Sequence, residues 1–79
     1  MERSEVLGKV QEVFCDVLGN DDIVLTETTS AQDVDEWTSL AQAQILTAIE
    51  NELGIRFSLK DIMSVKTVGD IVNAIIAKQ

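Results

Sequence analysis

Fourteen carboxylates against six cationic side chains give this 79-residue chain a formal net charge of −8, which repels nucleic-acid phosphates and anionic membranes and favours basic protein partners. So short a chain builds one small domain, expected to span residues 1–79, and has no room for a deep cleft between two lobes. The hydrophobic 46% is mostly Val, Ile, Leu and Ala, enough for an aliphatic core without metal or disulfide. The lone Cys15 has no internal partner, and no apolar leader or membrane span is seen, so the cytoplasm is the expected compartment.

Along the chain, Val6, Leu7, Val10, Val13, Phe14, Val17 and Leu18 recur at helical spacing and predict an amphipathic helix over 3–18, with Gly19 as its C-cap. Residues 20–38 have no helical period. They read as a long loop, pinned to the core by Ile23, Val24, Leu25 and Val34, and loops of that length in compact domains are often functional. A second helix is predicted over 39–53 from the stripe Leu40, Ala43, Ile45, Leu46, Ile49 and Leu53, with Gly54 as a left-handed cap and Ile55 folding back toward Ile49. Ser58 and Asp61 form a capping pair for a short turn of helix carrying Leu59, Ile62 and Met63. Thr67 and Asp70 repeat the device for a last helix, which buries Val68, Ile71, Val72, Ile75 and Ile76. No strand pattern competes, so the fold class is all-α, three main helices and one short one.

Trp37-Thr38-Ser39-Leu40, at the end of the long loop and the start of a helix, resembles the Asp-Ser-Leu attachment motif of acyl and peptidyl carrier proteins. Two further blocks resemble the same family: Ile49-Glu50-Asn51-Glu52-Leu53-Gly54-Ile55-Arg56-Phe57, similar to the end of its second helix, and Thr67-Val68-Gly69-Asp70-Ile71-Val72, similar to the start of its last. The match covers nearly the whole chain in the family's order. It implies a four-helix carrier bundle with a long loop between the first two helices, one carrier domain over 1–79, and a 4′-phosphopantetheine derived from coenzyme A joined covalently to Ser39. On that reading the protein is not an enzyme. It holds acyl groups as thioesters and presents them to biosynthetic enzymes in fatty-acid or polyketide synthesis. The implied partners are a phosphopantetheinyl transferase and acyl-loading and acyl-processing enzymes with basic docking surfaces; no nucleic acid or membrane is expected, and the chain is expected to be a monomer. A peptidyl or aminoacyl carrier, or an unmodified acidic interaction module of the same fold, are the alternatives.

Independently of the resemblance, a helix N-terminus offers unpaired N–H groups and a positive dipole end, which suit a phosphodiester at Ser39. No His is present, and none is needed if another enzyme activates the hydroxyl. The bland role for Ser39 is an N-cap paired with Gln42, which is compatible with modification. Thr38 stands where the family usually has Asp, a carboxylate implied in recognition by the modifying enzyme; Asp35 and Glu36 keep negative charge near. Trp37 is read either as packed on the core or as a partner contact. Gln42, Gln44 and Thr47 occupy second-helix positions where a general fatty-acid carrier tends to carry carboxylates, while Glu50 and Glu52 lie at the far end, which suggests a dedicated partner set.

Other chemistries fit less well. A calcium loop starting at Asp33 fails at Trp37, Thr38 and Gln44. Asp33, Asp35 and Glu36 are a solvated turn rather than an acid–base pair, and a serine hydrolase lacks both His and a glycine-rich nucleophile turn. Cys15 is expected near the surface, with nothing to activate it. Ala43, Ile45, Leu46, Ile62 and Ile75 are candidates to line an acyl-chain path through the core, although ordinary core packing is their simpler role.

Overall fold

In a computed structural model, residues 2–78 are described and form four helices: α1 Arg3–Leu18, α2 Ser39–Leu53, α3 Leu59–Ser64 and α4 Val68–Ala77. α1 is the hub, packing against both α2 and α4. Its buried face is Val6, Val10, Val13 and Phe14; against it stand Ile45, Leu46 and Ile49 of α2 and Val68, Ile71, Val72 and Ile75 of α4. Each fully buried aliphatic side chain contributes roughly 1.5–3 kcal/mol. No polar side chain is buried among the described residues, so burial is not offset by desolvated charge.

The helix boundaries follow from local chemistry. Gly19 and Gly54 both adopt φ 66°, and at Gly54 the left-handed turn lets its N–H donate to the Glu50 carbonyl at 2.8 Å and close α2. α3 and α4 start on reciprocal capping boxes, Ser58 with Asp61 and Thr67 with Asp70, as their spacing predicts.

The segment between α1 and α2 is irregular yet held at several points. The Gln11 carboxamide donates to the Ile23 carbonyl and accepts from the Leu25 N–H at 2.7 Å. Further along, the first N–H groups of α4 donate to the loop: Val68 to the Thr29 carbonyl and Gly69 to the Glu27 carbonyl, both at 2.8 Å. Donors that a helix end leaves unpaired thus anchor the loop. An isolated antiparallel bridge pairs Ser30 with Thr67, and an Arg3–Glu27 ion pair closes the same end.

Several expected core positions lie outside. Ile23, Leu25 and Val34 are buried, but Val24 is 81% exposed, because extended backbone sends successive side chains to opposite sides. Leu40 is 71% exposed and Ala43 also faces solvent; the inner face of α2 runs through Ala41, Ile45, Leu46 and Ile49 instead. The short α3 buries none of its residues.

Candidate functional site

The head of α2 is set by the residues just before it. Trp37 is 4% exposed, and its ring meets Phe14 edge-on at a centroid distance of 4.9 Å and 90°. Its indole N–H donates to the Gln42 carboxamide oxygen at 3.2 Å. One side chain therefore ties the end of the loop to both α1 and α2. Of the two roles open to Trp37, packing on the core is the one observed. Tight turns follow, with the Trp37 N–H on the Val34 carbonyl and the Thr38 N–H on the Glu36 carbonyl, each at 3.0 Å.

Thr38, not Ser39, caps the helix. Its backbone is extended, and its hydroxyl accepts from the Ala41 N–H at 3.2 Å while its carbonyl takes the Gln42 N–H at 2.8 Å. Ser39 is the first helical residue. Its expected partner Gln42 is taken by Trp37, and among the described residues the Ser39 hydroxyl has no hydrogen-bond partner and is exposed. Nor does any group among them accept from the N–H of Ser39 or Leu40. The first turn of α2 holds no carboxylate. Ser39 thus presents a free hydroxyl beside two unspent donors at the positive end of a fifteen-residue helix.

This arrangement fits a phosphodiester on Ser39: room outside, donors alongside, and no competing anion in the turn. A depression of about 330 Å³ adjoins it, between Ala31 and Trp37 of the loop, Ser39, Gln42 and Ala43 of α2, and Ile62 of α3. The five residues considered as an acyl path do not share one cavity. Ile45, Leu46 and Ile75 are 0–3% exposed core, whereas Ala43 and Ile62 sit in the outer depression.

Of the three loop carboxylates Asp33, Asp35 and Glu36, the first and last are engaged within the loop. Glu36 accepts from the Asn20 side-chain amide at 2.9 Å, and that bond, with its own backbone N–H, holds its carboxyl below the usual range. Asp33 accepts from the Ser30 N–H at 2.9 Å, and no His, Cys, Asp and Glu cluster able to hold a metal occurs among the described residues. Glu50 does not belong to a free acidic face: it accepts from the Phe57 N–H at 2.7 Å. Cys15 is half-buried rather than superficial, its thiol beside the Gln11 amide at 3.2 Å. That Thr38 would cap in place of Ser39 had one sequence signal: Thr at the residue before a helical run is itself a strong N-cap.

Known proteins are similar to this chain over most of its length. The family model described as a phosphopantetheine attachment site matches residues 8–75. The acyl carrier protein of Thermotoga maritima is 32% identical over 73 residues, which is 92% of this chain and 90% of that one. That of Thermosynechococcus vestitus is 32% identical over 76 residues, 95% of this chain and 93% of its own. The solution structure of the holo acyl carrier protein from Geobacter metallireducens superposes with a TM-score of 0.87 at 34% identity, covering 92% of this chain and 84% of that one.

Proposed function

The chain belongs to the phosphopantetheine-binding family of acyl carrier proteins, and on that premise we propose that Ser39 is the residue that carries the prosthetic group. The protein is an acyl carrier with a covalently attached 4′-phosphopantetheine; it is the substrate of its enzymes rather than a catalyst. When bound, that group supplies a terminal thiol that holds an acyl chain as a thioester.

The observation that carries the assignment is the free, exposed hydroxyl of Ser39 at the first position of α2, released from capping because Thr38 does that work. A side chain that need not hold the helix together can be esterified without unravelling it. Leu40 and Ser39 N–H groups stand ready to face the phosphate oxygens, and Trp37 fixes the position of the whole turn. With no His in the chain, the hydroxyl proton passes to the transferase.

Partners are a phosphopantetheinyl transferase and acyl-transferring synthesis enzymes. We read 1–79 as one carrier domain acting as a cytoplasmic monomer, with the carboxylates of α1 and the loop meeting basic patches on those enzymes. No helix among the described residues is long and apolar enough to cross a membrane. Neutral Gln42, Gln44 and Thr47 on α2 favour a dedicated enzyme set over a housekeeping fatty-acid synthase.

Intact-mass measurement tests the attachment site. Incubation with coenzyme A and a broad-specificity transferase is expected to add one phosphopantetheine to the wild type and none to Ser39→Ala. Equal addition to both would overturn the assignment.

A further inference from the structure

The head of α2 contains a capping box that is not used. α3 and α4 both start on reciprocal boxes, with a hydroxyl at the N-cap and a carboxylate three residues on. Ser39 and Gln42 stand at the same spacing, and serine is at least as good an N-cap as threonine. α2 nevertheless starts one residue earlier, on Thr38, whose hydroxyl takes the Ala41 N–H at 3.2 Å. That is half a box, since the Ala41 side chain has nothing with which to bond back. Two starting registers therefore compete at one place, and the local chemistry of the caps favours the one that is not adopted.

The difference matters to Ser39. In the observed register it is the first helical residue, exposed, and its hydroxyl has no hydrogen-bond partner among the described residues. In the other, that hydroxyl would accept from the Gln42 N–H, and the Ser39 N–H would donate to the Gln42 carboxamide oxygen. Hydroxyl and N–H would both be spent on the cap.

Trp37 blocks the second register. An indole N–H only donates, so the atom facing it at 3.2 Å is the Gln42 oxygen, the same one that the box requires. The indole is held in place, being 4% exposed and packed edge-on against Phe14 of α1. A change of register would leave its buried N–H without an acceptor, which is unfavourable. We propose that Trp37 is a positioning residue for phosphopantetheine transfer: by holding the Gln42 carboxamide it keeps α2 in the register that leaves the Ser39 hydroxyl free. The effect on transfer rests on Ser39 being the attachment residue; the choice of register does not.

Backbone carbon shifts of residue 39, measured on the unmodified protein, read the register: helical as observed, extended where Ser39 is the cap. Trp37→Phe keeps a ring and loses the N–H. It is expected to move Ser39 toward extended values and to slow transfer roughly twofold or more, the lower end of what one hydrogen bond does to an equilibrium. Adding Gln42→Ala removes the competing box, and is expected to return Ser39 to helical shifts and to raise the transfer rate above that of Trp37→Phe alone. A purely structural role for Trp37 predicts no such rescue, because a smaller side chain at 42 restores no packing. The chain has a single tryptophan, so benzothienylalanine supplied in its place enters at position 37 alone. With sulfur instead of the N–H and nearly the same shape, it repeats the first arm without opening a cavity.

The proposal is overturned if Ser39 stays helical with both tryptophan replacements, or if Gln42→Ala fails to raise the rate of Trp37→Phe. Should the wild type be modified at another residue or not at all, the attachment site and the role in transfer fall together, while the carbon shifts still decide the register.

Discussion

A carboxylate at position 38, before the serine proposed to carry the prosthetic group, would do two things at once, capping α2 and offering negative charge to the modifying enzyme. Thr38 keeps the first and gives up the second, since its hydroxyl still accepts from the Ala41 N–H. The two functions can be separated by substitution. Thr38→Asp restores charge with the cap intact and is expected to raise the rate of phosphopantetheine transfer several-fold, whereas Thr38→Asn, a cap without charge, leaves it near the wild-type rate. Thr38→Ala is expected to cost about 0.5–2 kcal/mol of stability. Transfer rates by mass spectrometry and stabilities by denaturant titration check all three; an unchanged rate for Thr38→Asp would show that charge at this position is irrelevant to the enzyme. At this scale the sequence was partly legible. Ser39 at a helix start followed from the apolar period after it, but the division of labour between Thr38 and Ser39 depends on which hydroxyl reaches the Ala41 N–H. A one-residue offset decides that, and periodicity does not resolve one residue.

At the scale of elements, the long loop is shaped by what it docks on. Gly69 comes so close to it that a Cβ there would lie 2.7 Å from the Glu27 carbonyl oxygen, the same oxygen that accepts the Gly69 N–H. Gly69→Ala must push the loop off the start of α4, despite the gain in helix propensity. It is expected to lower stability by about 1–3 kcal/mol and to increase amide exchange around residues 26–30; a rise in melting temperature would contradict the anchoring role.

The cap of α3 carries a pH dependence. The Lys78 ammonium, then the Ser58 N–H and hydroxyl, bring the Asp61 carboxyl from its ordinary 3.8 down to about 2. A depressed carboxylate stabilises the fold above its unfolded value and loses that contribution as pH falls through the folded one, so loosening of α3 is expected between about pH 4 and pH 2. In an NMR titration, Lys78→Met should move the Asp61 midpoint upward; titration near 4 in the wild type would refute the pairing. Ser58 and Asp61 were readable as a cap because the motif is local. The Lys78 contact was not, being seventeen positions away and made by tertiary packing. The outward faces of Leu59, Met63 and Leu40 escaped the sequence for a related reason: which apolar side chains of a helix are covered is decided by how distant segments pack on it.

For the whole molecule, the charge excess sets the solution behaviour. Thirteen of the fourteen carboxylates lie outside residues 54–66, and a net of −8 on 79 residues repels itself in the folded state. Salt shortens the Debye length from about 30 Å at 0.01 M to about 8 Å at 0.15 M, so the melting temperature is expected to rise by roughly 3 °C or more across that range. A fall would mean that ion pairs such as Arg3–Glu27 outweigh the repulsion. The four helices and their order were legible because each has its own period and its own punctuation, Gly19, Gly54, Ser58 and Thr67. The arrangement around α1 is fixed by side-chain packing across distant segments, which those local signals do not encode.

One measurement bears most directly on the central claim. The chain carries other hydroxyls, among them that of Thr38, which lines the same depression as Ser39. Fragmentation mass spectrometry of the transferase-treated protein locates the added phosphopantetheine along the sequence. The increment is expected on Ser39 alone; finding it on Thr38 or any other residue, or on none, would contradict the account.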